Sequence, residues 1–247
     1  MCNFTIMENI DNESIGQIVA EDYNTYKVFE NHGVDYYNKG KQSLGEVADE
    51  NKIDLQSIKN EIAKVKDSKS EGDEDFNSWA LDTLSDYIIK IYHQYADKQI
   101  QVIKPGIEKI CREHGEQYPV LMEIKKLFDA AAGAISVHQK KEELILFPFI
   151  RKMADAKKNN KEFIKPRAIK SVENPVDMLT HEHTQQGETF QRIAELSQDY
   201  TSPDLDGTFK QPLALLKEFE INLHKHLHLE NNILFPKALR LEKELTA

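Results

Sequence analysis

Two eleven-residue segments of this chain follow one pattern. Residues 138–148 read HQKKEELILFP and residues 226–236 read HLHLENNILFP, so each has a histidine, a glutamate four positions later and a closing Leu-Phe-Pro. This spacing places the histidine and the glutamate on one face of an α-helix. Apolar residues flank both pairs at helical spacing, so the shared face points towards a core. The pattern therefore predicts two helices that each bury an imidazole and a carboxylate.

An unpaired buried charge is costly, so each His-Glu pair needs a compensating group. For a single pair, an internal hydrogen bond between the imidazole and the carboxylate is a sufficient explanation and stays open. Two copies of the pair that converge from two helices are better explained by a ligand that both of them share.

The region after residue 77 predicts four long helices. Apolar residues recur there at helical spacing. The segments are drawn at about 78–111, 120–153, 175–200 and 208–245. Pro105 is expected to kink the first of them. Four such helices predict an all-α fold with a four-helix bundle at 78–247.

A smaller unit precedes the bundle. Residues 1–66 contain short amphipathic segments and predict a small helical N-terminal domain. Ser14 and Ser43 are expected to be helix N-caps, and Gly33 is expected to end a helix. Charged and small residues at 67–77 predict a linker between the two domains.

The composition excludes several classes of protein. A net charge of −10 argues against a general nucleic-acid binder, which needs a basic surface. The only cysteines, Cys2 and Cys111, have no CxxC spacing, which argues against disulfide scaffolds, zinc ribbons and thiolate-held clusters. The apolar run around the first motif falls far short of the roughly 20 residues of a membrane helix, and the acidic start is not a targeting signal. We expect a cytoplasmic protein without nucleic acid or membrane partners.

Two lone histidines extend the repeat. His93 lies 45 residues before His138, and His183 lies 43 residues before His226, so each half of the bundle has a lone histidine and then a His-x3-Glu pair. Antiparallel neighbouring helices would bring each lone histidine to the level of its pair. The predicted metal ligands are His93, His138, Glu142, His183, His226 and Glu230.

This donor set is typical of a site for two metal ions. Two bridging carboxylates and two imidazoles per ion give four protein donors each, and an oxo or hydroxo bridge would make five. Imidazole and carboxylate donors without thiolate suit iron or manganese, with zinc as a contaminant. The open coordination position that remains favours small-molecule chemistry over a structural role.

Two other metal motifs do not fit the chain. The ferritin-type di-iron bundle uses Glu-x-x-His, but none of the four predicted histidine ligands has a glutamate three positions before it. The HExxH motif of metalloproteases is also absent, because His181 and His183 lie only two positions apart.

At this point the chain resembles the hemerythrin-like repair of iron centres (RIC) family. The resembling segments are Tyr92-His93, HQKKEELILFP, MLTHEHTQQG and HKHLHLENNILFP, and the resemblance covers essentially the whole chain. It implies a hemerythrin-like four-helix bundle with a non-haem di-iron centre on the same six ligands. It also implies a role in restoring iron–sulfur clusters damaged by nitric oxide or oxidants, by release of iron.

The N-terminal segment is similar to the short domain that often precedes the bundle in this family. Relatives usually carry a Cys-Cys pair there, whereas this chain has Tyr36 and Tyr37. The missing thiols argue against metal capture or redox relay by this domain and favour a docking or dimerisation role.

Three functional hypotheses stay open. The leading one is a di-iron stress-response protein that supplies iron to damaged iron–sulfur proteins or their apo-proteins. The second is a di-iron enzyme that reduces nitric oxide or activates oxygen. The third is a reversible binder or sensor of a diatomic gas, although oxygen-carrying hemerythrins typically use five histidines. The sequence does not decide whether the protein is an enzyme, which cluster it serves or whether it forms a homo-oligomer.

Residues beside the predicted ligands have expected places as well. His224 and His228 lie on the far side of their helix from His226, which favours solvent-facing positions or supporting roles. Glu143 and Glu182 are surface residues or carboxylates that orient ligand imidazoles.

Overall fold

The computed structural model describes residues 10–68, 75–165, 170–201 and 209–247. In these ranges all regular elements are helical, and the only β-type contact is an isolated bridge between Ser14 and Ser43. The predicted all-α class is confirmed. No helix in the described part of the chain is long and apolar enough to cross a membrane. Cys2 and most of the predicted linker lie outside the described residues.

From residue 10 onwards, the N-terminal domain contains four short α-helices and two 3-10 turns. The α-helices are α1 (Ile15–Glu21), α2 (Tyr26–Asn31), α3 (Leu44–Asn51) and α4 (Leu55–Asp67). The 3-10 turns are Ile10–Asn12 and Tyr23–Thr25.

The predicted helix boundaries of this domain are confirmed. The Ser14 side chain accepts a hydrogen bond from the backbone of Gln17 at the start of α1. Ser43 and Glu46 form a capping box at the start of α3, each side chain binding the backbone of the other residue. Gly33 follows α2 with φ of 65°, and its amide donates to the carbonyl of Glu30. The left-handed backbone conformation of Gly33 ends the helix, as is common for glycine at this position.

Four long helical segments form the bundle, and three of them contain a π-helical turn. The first has the 3-10 turn Phe76–Ser78, α5 (Leu81–Ile88), the π turn Ile89–His93 and α6 (Gln94–His114). The second has α7 (Val120–Lys141), the π turn Glu142–Leu146 and α8 (Phe147–Lys158). The third is α9 (Glu173–Leu196), and the fourth has α10 (Lys210–His228), the π turn Leu229–Leu234 and α11 (Phe235–Thr246).

The interruptions do not lie where the proline suggests. Pro105 lies inside α6, which continues on both sides of it. The irregular turns lie instead at the predicted ligands, because His93, Glu142 and Glu230 each belong to a π turn. A π turn inserts one residue into a helix and redirects the side chains around it, and such turns are frequent at functional sites.

Packing closes the bundle into a ring. The first segment packs on the second and the fourth, and α9 packs on α7 and α10. Two hydrophobic clusters fill the interior. One contains Ile103, Phe128 and Phe219 and continues into the N-terminal domain, and the other contains Phe147 and Phe235.

The predicted ligands lie at the boundary between these clusters. Along the first segment, His93 lies between Tyr92 of one cluster and Ala96 of the other. Along α9, His183 lies between Leu179 and Phe190 in the same manner. The polar groups therefore form one layer between two apolar layers, which isolates them from water.

The N-terminal domain packs against the fourth bundle segment. Helix α1 contacts the π turn Leu229–Leu234. The Asn232 side-chain amide donates to the carbonyl of Tyr36 at 3.1 Å. The predicted domain limits of 1–66, 67–77 and 78–247 stay a prediction.

Substitution of Gly33 tests the helix end directly. A Cβ at this position meets no atom within 4 Å, so the cost of Gly33→Ala comes from the positive φ alone. We expect the free energy of unfolding to fall by roughly 1–2 kcal/mol, because L-residues are strained in this conformation. Urea titration followed by circular dichroism measures the change.

Gly133→Ala is the matched control. Gly133 is exposed inside α7, and a Cβ there also has no neighbour within 4 Å. Alanine should stabilise this helix by roughly 0.5–1 kcal/mol. Equal effects of the two substitutions would contradict the assignment of strain to Gly33.

Candidate metal centre

The structure brings all six predicted ligands together in the buried polar layer. They form two groups that share both glutamates, and the donor atoms of each group lie within 4.8 Å of one another. The first half-site comprises His93, His226, Glu142 and Glu230. The second half-site comprises His138, His183, Glu142 and Glu230.

Each glutamate directs one oxygen at each half-site. Glu142 Oε2 lies 3.4 Å from His93 Nε2, and its Oε1 lies 3.3 Å from His138 Nε2. Glu230 Oε1 lies 3.0 Å from His226 Nε2, and its Oε2 lies 3.3 Å from His183 Nε2. This is the arrangement that two carboxylates bridging two cations require.

The imidazoles face one another in pairs. In the first half-site, His93 Nε2 lies 3.2 Å from His226 Nε2. In the second, His138 Nε2 lies 2.9 Å from His183 Nε2. All four histidine residues are at most 3% exposed.

Three of these rings donate a hydrogen bond through the outer nitrogen, Nδ1. His93 donates to Glu143 at 2.9 Å, and His138 donates to Glu182 at 2.8 Å. The predicted orienting roles of Glu143 and Glu182 agree with these contacts. His183 donates to the side-chain oxygen of Asn231 at 2.7 Å. Because Nδ1 carries the proton, the lone pair on Nε2 of each ring points into the site.

The orienting contacts follow the internal repeat. Glu143 comes directly after Glu142 and accepts a hydrogen bond from His93, the lone histidine of the first half. Asn231 comes directly after Glu230 and accepts one from His183, the lone histidine of the second half. Glu182 precedes His183 in the chain. Its counterpart before His93 is Tyr92, whose ring stacks on His226 with centroids 5.7 Å apart.

These residues fit a pair of cations. The lone pairs of His138 and His183 would repel each other at 2.9 Å unless a proton or a metal ion lay between them. Glu142 and Glu230 are fully buried, and among the described residues none of their four oxygens has a hydrogen bond of good geometry, although an imidazole Nε2 lies within 3.4 Å of each. Buried polar atoms normally have partners, so the orphaned oxygens point to bound ions. Nitrogen and oxygen donors without thiolate suit iron or manganese.

The charges of the site support the same interpretation. Burial alone would lower the pKa of His138, but Glu142, Glu230 and Glu182 outweigh it and raise this pKa to about 9. Burial alone would raise the pKa of Glu230. The neighbouring imidazoles of His226 and His183 lower it by more, so this pKa lies far below its usual range. The pKa of His93 is raised as well, whereas burial lowers the pKa of His226. Without metal, protons on His93 and His138 therefore compensate the two carboxylates.

Other histidines from the sequence lie outside the site. Of the two places predicted for His224 and His228, the solvent-facing one is wrong, because both are buried beneath the N-terminal domain, and a supporting role stays a prediction. The His224 ring stacks on Tyr37 with centroids 3.9 Å apart, and the His228 ring lies 5.6 Å from that of Tyr36. His181 is exposed on α9.

Sequence reasoning missed Asn231 and the three π turns. Alignment of the two halves of the repeat could have identified Asn231, since it occupies the position of Glu143. Nothing in the periodicity of the chain indicates the π turns.

Comparison with known proteins gives the same domain order. A family model described as the hemerythrin HHE cation binding domain matches residues 84–238. The model ScdA_N, a domain of unknown function (DUF542), matches residues 11–66. The resemblance noted in the sequence is confirmed.

Relatives that match over both domains are called iron-sulfur cluster repair protein YtfE. One is from Yersinia pseudotuberculosis serotype IB (strain PB1/+), and another is from Yersinia pestis (strain Pestoides F). Each is 27% identical over 232 residues, which cover 94% of this chain and 98% of the relative.

The raised pKa of His138 predicts a pH dependence of the metal-free protein. Its charged ring stabilises the fold fully below its unfolded pKa of 6.5, and this contribution disappears as the pH rises through about 9. The melting temperature should therefore fall between these pH values. Zinc must displace the proton, so its apparent affinity should rise about tenfold per pH unit for one proton. Thermal melts and calorimetric zinc titrations measure both trends.

His138→Gln removes the titrating ring and should flatten both trends, whereas His181→Gln replaces an exposed ring outside the site. The same pH profile in His138→Gln and the unsubstituted protein would show that another group governs it.

Proposed function

This chain belongs to the hemerythrin HHE cation binding domain family, and from that premise we propose that it holds two non-haem iron ions and repairs damaged iron–sulfur clusters. The damage would come from nitric oxide or oxidants, and the protein would act by supplying iron. Its clients would be iron–sulfur proteins that have lost or damaged a cluster, in the cytoplasm.

The geometry of the two glutamates carries this proposal. Each of Glu142 and Glu230 directs one oxygen at each half-site, and among the described residues no hydrogen bond of good geometry satisfies these oxygens. Two buried cations would neutralise the carboxylates and separate the facing imidazoles. The family match and the two-domain agreement with repair proteins then favour iron and a role in repair.

The donor set suits an ion that is delivered rather than kept. When bound, the two iron ions would supply exchangeable iron and coordination positions for small molecules. The residues hold them through imidazole and carboxylate groups, without the thiolates that bind soft metals most tightly. Glu143 and Glu182 keep the protons of His93 and His138 on Nδ1, which leaves Nε2 free for the metal. Protonation of Nε2 would compete with the metal and favour its release.

One observation also favours the second candidate, catalysis on a diatomic gas. A narrow cleft reaches the His226 ring between the first and fourth bundle segments, and Tyr92, Tyr95 and Asn222 line it. Nitric oxide or oxygen is small enough for such a cleft. Four protein donors per ion would leave positions for it to bind.

Metal stoichiometry tests the site first. We expect about two ferrous ions per chain after anaerobic reconstitution. Glu230→Ala removes a donor from both half-sites and should lose both ions, whereas His93→Ala damages only the first half-site and should keep about one. Inductively coupled plasma analysis of desalted protein measures these ratios.

His181→Ala is the matched control, since the ring is exposed and lies two residues from His183. It should keep both ions. Full iron retention by Glu230→Ala would overturn the shared-carboxylate site.

Repair and catalysis are separated by anaerobic assays of the loaded protein. For repair, a [4Fe–4S] protein damaged with nitric oxide should regain its cluster as iron leaves the donor in stoichiometric amounts. Electron paramagnetic resonance and iron analysis of the separated proteins follow the transfer, with sulfide and reductant present in every sample.

The same reduced protein is then mixed with nitric oxide and an excess of reductant, without a client protein. Repeated turnover to a reduced nitrogen product, without loss of iron, would favour the catalytic candidate and contradict the donor role. Spectral change that reverses on removal of the gas would instead indicate a binder.

A further inference from the structure

Among the described residues, the Asn231 side chain hydrogen-bonds both to the N-terminal domain and to a predicted metal ligand. Asn231 donates from Nδ2 to the carbonyl of Tyr37 at 3.0 Å, and its Oδ1 accepts from His183 Nδ1 at 2.7 Å. The carbonyl can only accept, so this contact fixes the orientation of the amide. The oxygen of Asn231 therefore faces His183 while the carbonyl of Tyr37 and, at 3.4 Å, Oδ1 of Asn38 hold its nitrogen.

The other orienting contacts do not depend on the N-terminal domain. Glu143 binds His93 and also Lys140, and Glu182 binds His138 and also Lys141, so bundle residues alone hold these two carboxylates. Asn231 is neutral. Its orientation relies on a backbone group from another domain. The second half-site therefore has one imidazole that is held from within the bundle and one that is held from outside it.

Residues 36–38, which we call the docking segment, pack closely against the bundle. The Tyr37 ring stacks on His224, with planes 15° apart. At Gly187 of α9, an added Cβ would lie 2.8 Å from Asn38 Nδ2 and 3.1 Å from Tyr37 Cε2. The absence of a side chain at Gly187 thus gives the docking segment its place beside α9.

We propose that Asn231 is a positioning residue through which the docked N-terminal domain fixes His183, and that displacement of the docking segment releases the metal ion of the second half-site. The ion of the first half-site would stay, since its imidazole contacts do not involve Asn231. The proposal deepens the iron-donor function and rests on it. It gives the N-terminal domain a role in controlling release.

Release kinetics of the loaded protein test this inference. Ferrous protein is mixed anaerobically with excess ferrous chelator, and two release steps are followed by absorbance. Glu182→Gln acts only on the second half-site and Glu143→Gln only on the first, so these variants assign the steps. In Asn231→Ala we expect the second-half-site step to become about 10–100-fold faster and the other to stay unchanged.

Two further variants separate the ligand contact from domain docking. Asn231→Asp keeps an acceptor for His183 but cannot donate to Tyr37, so it should restore slow release. Gly187→Leu leaves Asn231 intact and displaces the docking segment, so it should accelerate the same step as Asn231→Ala. Normal release by Gly187→Leu would overturn the coupling to the domain.

A measurement on the metal-free protein tests the contact between Asn231 and His183 independently of iron binding. The Nδ1 proton of His183 should give a slowly exchanging nuclear magnetic resonance signal in the metal-free chain, and Asn231→Ala should abolish it. An unchanged signal with unchanged release, or equal acceleration of both steps, would overturn the proposal. Failure of the unsubstituted protein to bind two ions would refute the proposed function instead, whatever the signal shows.

Discussion

The structure depends on two carboxylates that are fully removed from water. Glu142 and Glu230 lie opposite each other in the middle of the bundle, where one uncompensated charge costs several kcal/mol. Four imidazoles surround them, and apolar clusters close the layer on both sides. The bundle is therefore built around a charge that only cations can balance, either protons on the rings or metal ions between them. Proton binding and metal binding are alternatives for the same atoms.

The internal repeat explains why the layer of ligands is nearly symmetric. The positions at which the two halves differ explain why its two half-sites are not identical. Both halves contribute a lone histidine, a His-x3-Glu pair and an orienting residue directly after the glutamate. That residue is Glu143 in one half and Asn231 in the other. A carboxylate strengthens the basicity of the imidazole that it binds, whereas an amide mainly orients it. The two ions would therefore occupy similar but unequal environments.

Much of this arrangement follows from local sequence. Helical spacing was sufficient to identify the bundle, and His-x3-Glu places both groups of each pair on one face. Ser14, Ser43 and Gly33 mark helix ends through contacts within a few residues. The π turns and the docking segment could not be derived in this way, because they depend on packing between distant parts of the chain. His224 shows the difference, since its surroundings come from a domain about 190 residues earlier.

The burial of His224 and His228 changes the meaning of the N-terminal domain. A helix that carried only the ligands would need one buried face, but α10 also buries the opposite one. The second face receives Tyr36 and Tyr37. Burial raises the pKa of both phenols, so the two tyrosines stay neutral and contribute packing. A surface that relies on ring packing, hydrogen bonds and the contact between Glu30 and His224 can separate without breaking a covalent bond. That property suits a domain whose position governs how firmly a neighbouring ligand is held.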